Sequence, residues 1–283
     1  MIGKIYSKSV WGYCFICGIG TPRPGSKIKQ NTFSTPFLCQ IFNRFNGDEK
    51  HNIQKMALGS IANFIREINK NELPPNHIRF FRGQESINWE LLPSLYRNRK
   101  FVDNEIQIYH EIISKCPNDF NNCHSDFEKM VKMQHYGIPT RLLDITTNVI
   151  AALFFACNSS SQKGNAVVYS FDVPISKVFY FDSQDVKNKI SIESPNKSLS
   201  NNKVFCIIPK LSNPRIIRQN GAFFFYGDND VDLTTIFSTH KYELSKSHKK
   251  HMREQLRNMG INSSQFFPEM ECVSKYIKEK YLN

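Results

Sequence analysis

The sequence predicts an α+β fold, a mostly antiparallel sheet with flanking helices and one buried central helix. Three observations carry that prediction. Helical periodicity is concentrated in residues 53–158 and returns after residue 246, whereas most strand-like segments lie between 166 and 226, so the two kinds segregate rather than alternate. The stretch Val149 to Cys157 is apolar on nearly every side, as a helix inside a core is. Neither a Walker loop nor a G-x-G-x-x-G turn is present, so the common phosphate-binding signatures of doubly wound folds are missing.

Each element follows from local pattern. Ile61, Phe64, Ile65 and Ile68 fall at helical spacing, so residues 53–69 read as an amphipathic helix that Leu73-Pro74-Pro75 stops. Residues 77–83 read as a strand ending in glycine, and residues 89–96, with Pro93, as a short irregular hydrophobic segment. Residues 104–115 read as a helix capped by Asn104, with Ile106, Tyr109 and Ile113 along one side. Residues 125–135, with Phe127, Val131 and Gln134, read as the next helix, closed by Gly137. Ile138-Pro139 turns the chain. Thr140 then caps a short turn that carries Arg141 and Asp144 on one face. Thr146 or Thr147 caps the apolar helix of residues 147–158, whose N-terminus is a ready anion site. Strands are expected over 166–171, 177–181, 204–208 and 222–226, the last introduced by Gln219-Asn220-Gly221. Residues 183–203, rich in Asn, Ser and Lys, read as a loop. Residues 247–259 and 269–281 return to helix.

Composition bounds the possibilities. The chain has 283 residues, 40% of them hydrophobic and 23 of them Phe, enough for a large aromatic core. No run of eighteen apolar residues occurs, so no membrane span is expected. Lys4 and Lys8 precede an apolar stretch at 10–19 that superficially resembles an export signal. That stretch is short, contains Gly12 and Gly18 and lacks a small-x-small cleavage site, so a cytoplasmic protein is expected. Residues 1–50 read as a basic N-terminal appendage, with strands within 4–19 and a linker at 21–26, and residues 53–283 as the main domain. The net charge of +12 sits at the ends: residues 1–50 carry seven Lys/Arg against two Asp/Glu, and residues 201–283 thirteen against eight. Basic flanks around a neutral centre suit a nucleic acid or a phosphate-bearing small molecule, and an Asn/Lys-biased composition without functional meaning produces the same balance. Of eight cysteines only Cys14-x-x-Cys17 has metal-ligand spacing, and no second pair follows, so reduced thiols and no metal are expected.

Two dense motifs carry the chemistry. The first is Arg79-Phe80-Phe81-Arg82-Gly83-Gln84-Glu85, and the second runs from His135-Tyr136-Gly137-Ile138-Pro139-Thr140-Arg141 through Leu142-Leu143-Asp144-Ile145-Thr146. Each sets arginine against core-like sequence, where a guanidinium is costly unless an anion meets it. That anion is either Asp144 or a ligand. Gly83 removes a Cβ where the strand ends, so another group can approach, and Gln84 and Glu85 add polar reach. Arg82, Arg141, His135 and a helix N-terminus together make a phosphate or pyrophosphate pocket. The bland alternative has Arg82 or Arg141 pinned by Asp144, His135 as a capping or core residue, and Tyr136 as packing.

Phe81-Arg82-Gly83-Gln84, the long second motif and Ala151-Ala152-Leu153-Phe154-Phe155-Ala156 resemble the FRG domain, most closely over residues 61–171. The likeness continues more loosely through Gln219-Asn220-Gly221-Ala222-Phe223 and from Gly260-Ile261 to Phe267-Pro268. That family occurs in bacteria and their mobile elements, which implies a toxin or anti-phage effector. Aromatic-Arg-Gly at the end of a first strand is also similar to the start of arginine-type ADP-ribosyltransferases, which have a strand-rich split sheet with few helices. This likeness implies an NAD-using enzyme in which Arg82 binds pyrophosphate or ribose, with Gly83, Gln84, Thr140, Arg141 and Asp144 around the cofactor. It implies His135 and Tyr136 on the nicotinamide side and Gln219 at the ribose, where such enzymes carry a glutamate. Gln219 cannot supply that negative charge to a developing cation.

Two other readings remain open. One is a non-catalytic module binding a nucleotide or nucleic acid through its basic flanks, with Lys246, Lys249, Lys250, Arg253 and Arg257 gathered on one helix face. The other is a metal-dependent nuclease in which Glu85, Asp144 and Asp172 converge.

Overall fold

The structure, a computed structural model, describes residues 59–158, 164–193, 204–228 and 230–282. The expectations for residues 1–50, for the helix before residue 59 and for the loop at 194–203 lie outside the described residues. Among the described residues no helix is long and apolar enough to cross a membrane.

The α+β architecture is borne out. Seven strands form one sheet: β1 (His77–Gln84), β2 (Leu142–Thr146), β3 (Ala166–Pro174), β4 (Val178–Tyr180), β5 (Val204–Ile208), β6 (Gly221–Tyr226) and β7 (Ser238–Leu244). Their order is β4-β5-β6-β2-β1-β3-β7, and every neighbouring pair is antiparallel except β4 with β5. The helices with a bearing on the site are α1 (Ile61–Asn69), α2 (Arg99–Asp103), α3 (Glu105–Lys115), α4 (Pro117–Phe120), α5 (Asp126–His135), α6 (Val149–Cys157), α7 (Gln184–Lys189), α8 (Pro214–Gln219), α9 (Leu233–Ile236), α10 (Lys246–Asn258), α11 (Ser263–Phe266) and α12 (Met270–Leu282).

Capping explains several differences from the expected boundaries. The Ser60 hydroxyl accepts the Asn63 N–H at 3.2 Å and sets the start of α1 at Ile61. Asn104 sits before α3 but donates backwards to Lys100 O at 2.8 Å instead of capping. On α3 the buried side chains are Glu105 and Tyr109, and Ile106 faces out. α6 is capped by Asn148, whose Oδ1 accepts from Ile150 N and Ala151 N, and neither Thr146 nor Thr147 takes that role. The anion site expected at this N-terminus is therefore occupied by the chain's own side chain.

Three elements escape the sequence pattern. The expected turn at 140–144 is strand β2, because Leu142 to Thr146 pair residue for residue with Phe225 to Gly221. Residues three apart on a strand point to opposite faces, so Arg141 and Asp144 separate: Arg141 is buried and Asp144 exposed. Helix α7 occupies the start of the expected loop, with Ser183 as its cap. β7 was not expected at all, since the polar outward side chains of this edge strand hide the inward Tyr242 and Leu244.

Strand alternation sorts the core. One face of the sheet is continuous: Phe80, Leu143, Ile145, Val167, Tyr169, Phe171, Cys206, Phe224 and Tyr226 belong to a single cluster. The other face is divided. Phe81, Val168 and Leu244 pack with α1, α6 and α10, and Leu142, Phe205, Phe223 and Phe225 pack with α3, α5 and α7. The buried central helix is α6, whose Ala151, Ala152, Leu153, Phe154, Ala156 and Cys157 are all buried.

Candidate functional site

The divided face has a cause in the ladder. β1 and β2 pair at one position, Phe81 with Thr146. Beyond it Arg82, Gly83 and Gln84 continue with Tyr169, Val168 and Val167 of β3, while Ile145 to Leu142 continue with Ala222 to Phe225 of β6. The two strands run apart, and a cleft of about 360 Å³ lies in the split. Its lining includes Arg82, Glu85, Trp89, Asp144, Phe155 and Arg215. Gly83, Thr146, Gln219 and Phe267 also line it.

Gly83 answers to helix packing. A Cβ there would stand 1.8 Å from Ala152 O and 2.8 Å from Ala156 N, so the backbone of α6 rests directly on β1. The close approach expected at this glycine is made by the chain's own helix. It fixes one wall of the split and brings Phe155 to the cleft.

The arginines divide into two kinds. Arg79 grips Asp172 with Nε to Oδ1 at 2.6 Å and Nη2 to Oδ2 at 2.7 Å, and donates Nη1 to Asn71 O at 2.8 Å. Arg141 grips Glu105 with two bonds of 2.6 Å, and its Nη1 donates to Gly227 O at 2.6 Å. Burial opposes the charge on Arg141, and Glu105 outweighs it, so its pKa stands above the usual arginine value. Arg141 is thus pinned, by Glu105 and not by Asp144, and it lies away from the cleft. Arg82 differs. Its Nη1 donates across the split to the main-chain oxygen of Asp144 at 2.6 Å, and its Nε is buried with no hydrogen-bond partner. Burial pushes its pKa below the usual arginine value, with the Asp144 charge opposing. The second arginine of the cleft, Arg215, lies 4.7 Å above the Phe267 ring. Neither Arg82 nor Arg215 forms an ion pair among the described residues.

The remaining expected site residues scatter. Gln219 reaches the cleft from α8, one turn after Arg215, and its Nε2 donates to Phe266 O at 3.0 Å. The Thr146 hydroxyl donates to Gln219 O at 2.6 Å and accepts from Asn148 N at 2.8 Å, tying β2, α8 and α6 together. His135 lies at the end of α5 beside a smaller chamber, with Nε2 3.7 Å from Glu269 Oε1. Tyr136 projects outward, 67% exposed. Thr140 is buried and donates to Gln134 Oε1 at 2.5 Å, and Gln84 is buried with Nε2 bonded to Glu90 O at 3.3 Å. The structure therefore gathers Arg82, Gly83, Asp144 and Gln219 in the cleft and keeps Gln84, Tyr136, Thr140 and Arg141 out of it.

The three carboxylates suggested for a metal do not converge. Asp172 is held by Arg79, and its place opposite Arg79 on β3 puts it several residues along the strand from Glu85. No group of three or more His, Cys, Asp or Glu among the described residues could hold a metal ion. The expected lysine cluster also divides: Lys249 is buried and donates to Glu85 O at 2.9 Å, anchoring the end of β1. Sequence reasoning missed Arg215, Trp89, Phe155 and Phe267. Asn213-Pro214 before Arg215 was the available signal for α8, since Asn213 caps it and Pro opens it.

No curated protein and no solved structure matches the chain. A family model, that of the FRG domain, matches residues 77–165. The match runs from the first residue of β1 to the residue before β3 and so includes both strands of the split, and over these residues the chain carries an FRG domain.

Proposed function

We propose that the cleft binds a dinucleotide of the NAD class and that the protein is an ADP-ribosyltransferase-like enzyme, cytoplasmic, acting as a bacterial toxin or anti-phage effector. The observation that carries the reading is Arg82, a guanidinium with a buried, unpartnered Nε, facing the same cleft as Arg215. Two arginines without carboxylate partners match the charge and the paired oxygens of a pyrophosphate. Trp89, Phe155 and Phe267 supply flat faces for a base or a nicotinamide ring. The split between β1 and β2 supports the reading, although the helices here are more numerous than that resemblance implies. Bound NAD would bring a glycosidic bond whose cleavage builds positive charge on the ribose. Glu85 and Asp144 are the carboxylates that line the cleft, and Gln219 contributes a hydrogen bond without charge.

Thermal unfolding with NAD, ADP-ribose and ATP tests this. Ligand at a hundredfold over its dissociation constant adds about 2.7 kcal/mol, a plain shift of the midpoint. The shift is expected with NAD or ADP-ribose and is expected to vanish in Arg82→Gln, which still melts cooperatively. No shift with any of the three rejects the reading. A second reading, nucleic-acid binding without catalysis, is favoured by one observation: Lys246, Lys250, Arg253 and Arg257 recur along one side of α10 at helical spacing. It requires affinity for an oligonucleotide that falls steeply with added salt.

A further inference from the structure

The cleft has a second, smaller chamber of about 100 Å³, lined by Val131, His135, Asn213, Ile216, Ala222 and Phe223 among others. Asp144, Ile145, Arg215 and Gln219 line both chambers, so the two meet across a shared wall. Most polar groups of the small chamber are committed. Asn213 Oδ1 accepts from Arg215 N at 2.8 Å, Gln134 Oε1 accepts from Thr140, and Gln219 Nε2 donates to Phe266 O. The Asp144 carboxylate has no hydrogen bond or ion pair among the described residues, and His135 approaches Glu269 at 3.7 Å and meets the Tyr136 ring edge-on. At about 100 Å³ against about 360 Å³ for the larger chamber, it has room for several waters and is the smaller of the two.

We propose that this chamber is the nucleophile subsite, that the nucleophile is water, and that Asp144 is the catalytic residue that takes its proton. The inference rests on the dinucleotide reading of the larger chamber. The bond between ribose C1′ and the nicotinamide nitrogen breaks, and nicotinamide leaves as the neutral base with the electron pair. A bond forms from C1′ to the water oxygen. One water proton passes to the Asp144 carboxylate and on to solvent, so dinucleotide and water yield ADP-ribose, nicotinamide and a proton. His135, which also lines the chamber, orients the water.

The full chain is assayed for nicotinamide release from NAD, with the NAD-induced thermal shift measured in parallel. Asp144→Asn is expected to keep the shift and lose release about 100-fold or more, the usual contribution of a positioned base. Product partition in methanol–water mixtures is the readout that a merely structural role would not move. Val131→Phe, which narrows the chamber, is expected to suppress the methyl riboside more than ADP-ribose while keeping the NAD shift. Release by Asp144→Asn at nearly the wild-type rate overturns the inference, as does an unchanged partition in Val131→Phe. A wild-type protein that shifts with NAD yet releases no nicotinamide overturns it and leaves the binding reading standing. A wild-type protein without the shift removes both.

Discussion

Arg79 and Arg82 stand three residues apart on β1 and are held in different ways. Arg79 is closed off, with the Nε/Nη2 edge of its guanidinium on Asp172 and a third bond from Nη1 to Asn71 O. Arg82 has one bond, to the main-chain oxygen of Asp144, and a buried Nε with nothing to bond. The difference teaches that sequence neighbours with the same side chain are separated by what the next strand offers. β3 brings Asp172 opposite Arg79, whereas Arg82 has Tyr169 opposite it on β3 and only the splayed edge of β2 on its other side. One arginine holds the sheet together, and the other is left with binding capacity.

Substitution sharpens that comparison. Arg79→Gln leaves Asp172 buried and unpaired, and urea unfolding is expected to show a loss of about 3–5 kcal/mol. Arg82→Gln removes one charge-assisted bond and one unsatisfied donor together, so a loss near 1 kcal/mol is expected in the same experiment. Equal losses at the two positions would erase the distinction. Gly83→Ala tests the wall of the split next to Arg82. Its methyl group meets the Ala152 carbonyl and must push α6 away, which is expected to cost about 3 kcal/mol in thermal unfolding and to weaken NAD binding in calorimetry. Unchanged stability would mean that α6 does not rest on β1 as described. The smallest effect on folding is expected at Trp89, which is 52% exposed. Trp89→Ala should leave the melting midpoint in place and lower dinucleotide affinity by about 1–3 kcal/mol, the contribution of a stacked ring. An unaltered affinity would place the ligand's ring on Phe155 or Phe267 instead.

Much of the fold was legible locally. Ser125 starts α5 where the sequence places it, and the all-round apolar run of α6 announces a buried helix, whereas the caps Ser60, Asn148 and Asn213 that start α1, α6 and α8 stand apart from the expected boundaries. β7 was hidden because an edge strand with charged outward residues lacks a strong hydrophobic signal. β2 was read as a turn because Thr140 to Asp144 carry turn-like spacing, and only pairing with β6 overrides it. Within the site, Arg82, Gly83 and Asp144 were legible as polar or small residues in an apolar setting, and Gln219 only through the resemblance. Arg215 and Phe267 were not, since they come from segments distant in sequence, and Trp89 and Phe155 sit in apolar stretches whose pattern signals packing.

Composition, periodicity and capping residues by themselves determined an α+β chain, a central helix and the two motifs that mark the family, because each depends on residues within a few positions of one another. The tertiary structure alone decided which arginines are satisfied. Glu105 reaches Arg141 across 36 residues and Asp172 reaches Arg79 across 93, separations that no local pattern encodes. A buried guanidinium takes whatever anion the fold delivers, and at Arg82 the parting of β1 from β2 delivers a carbonyl and an open cleft.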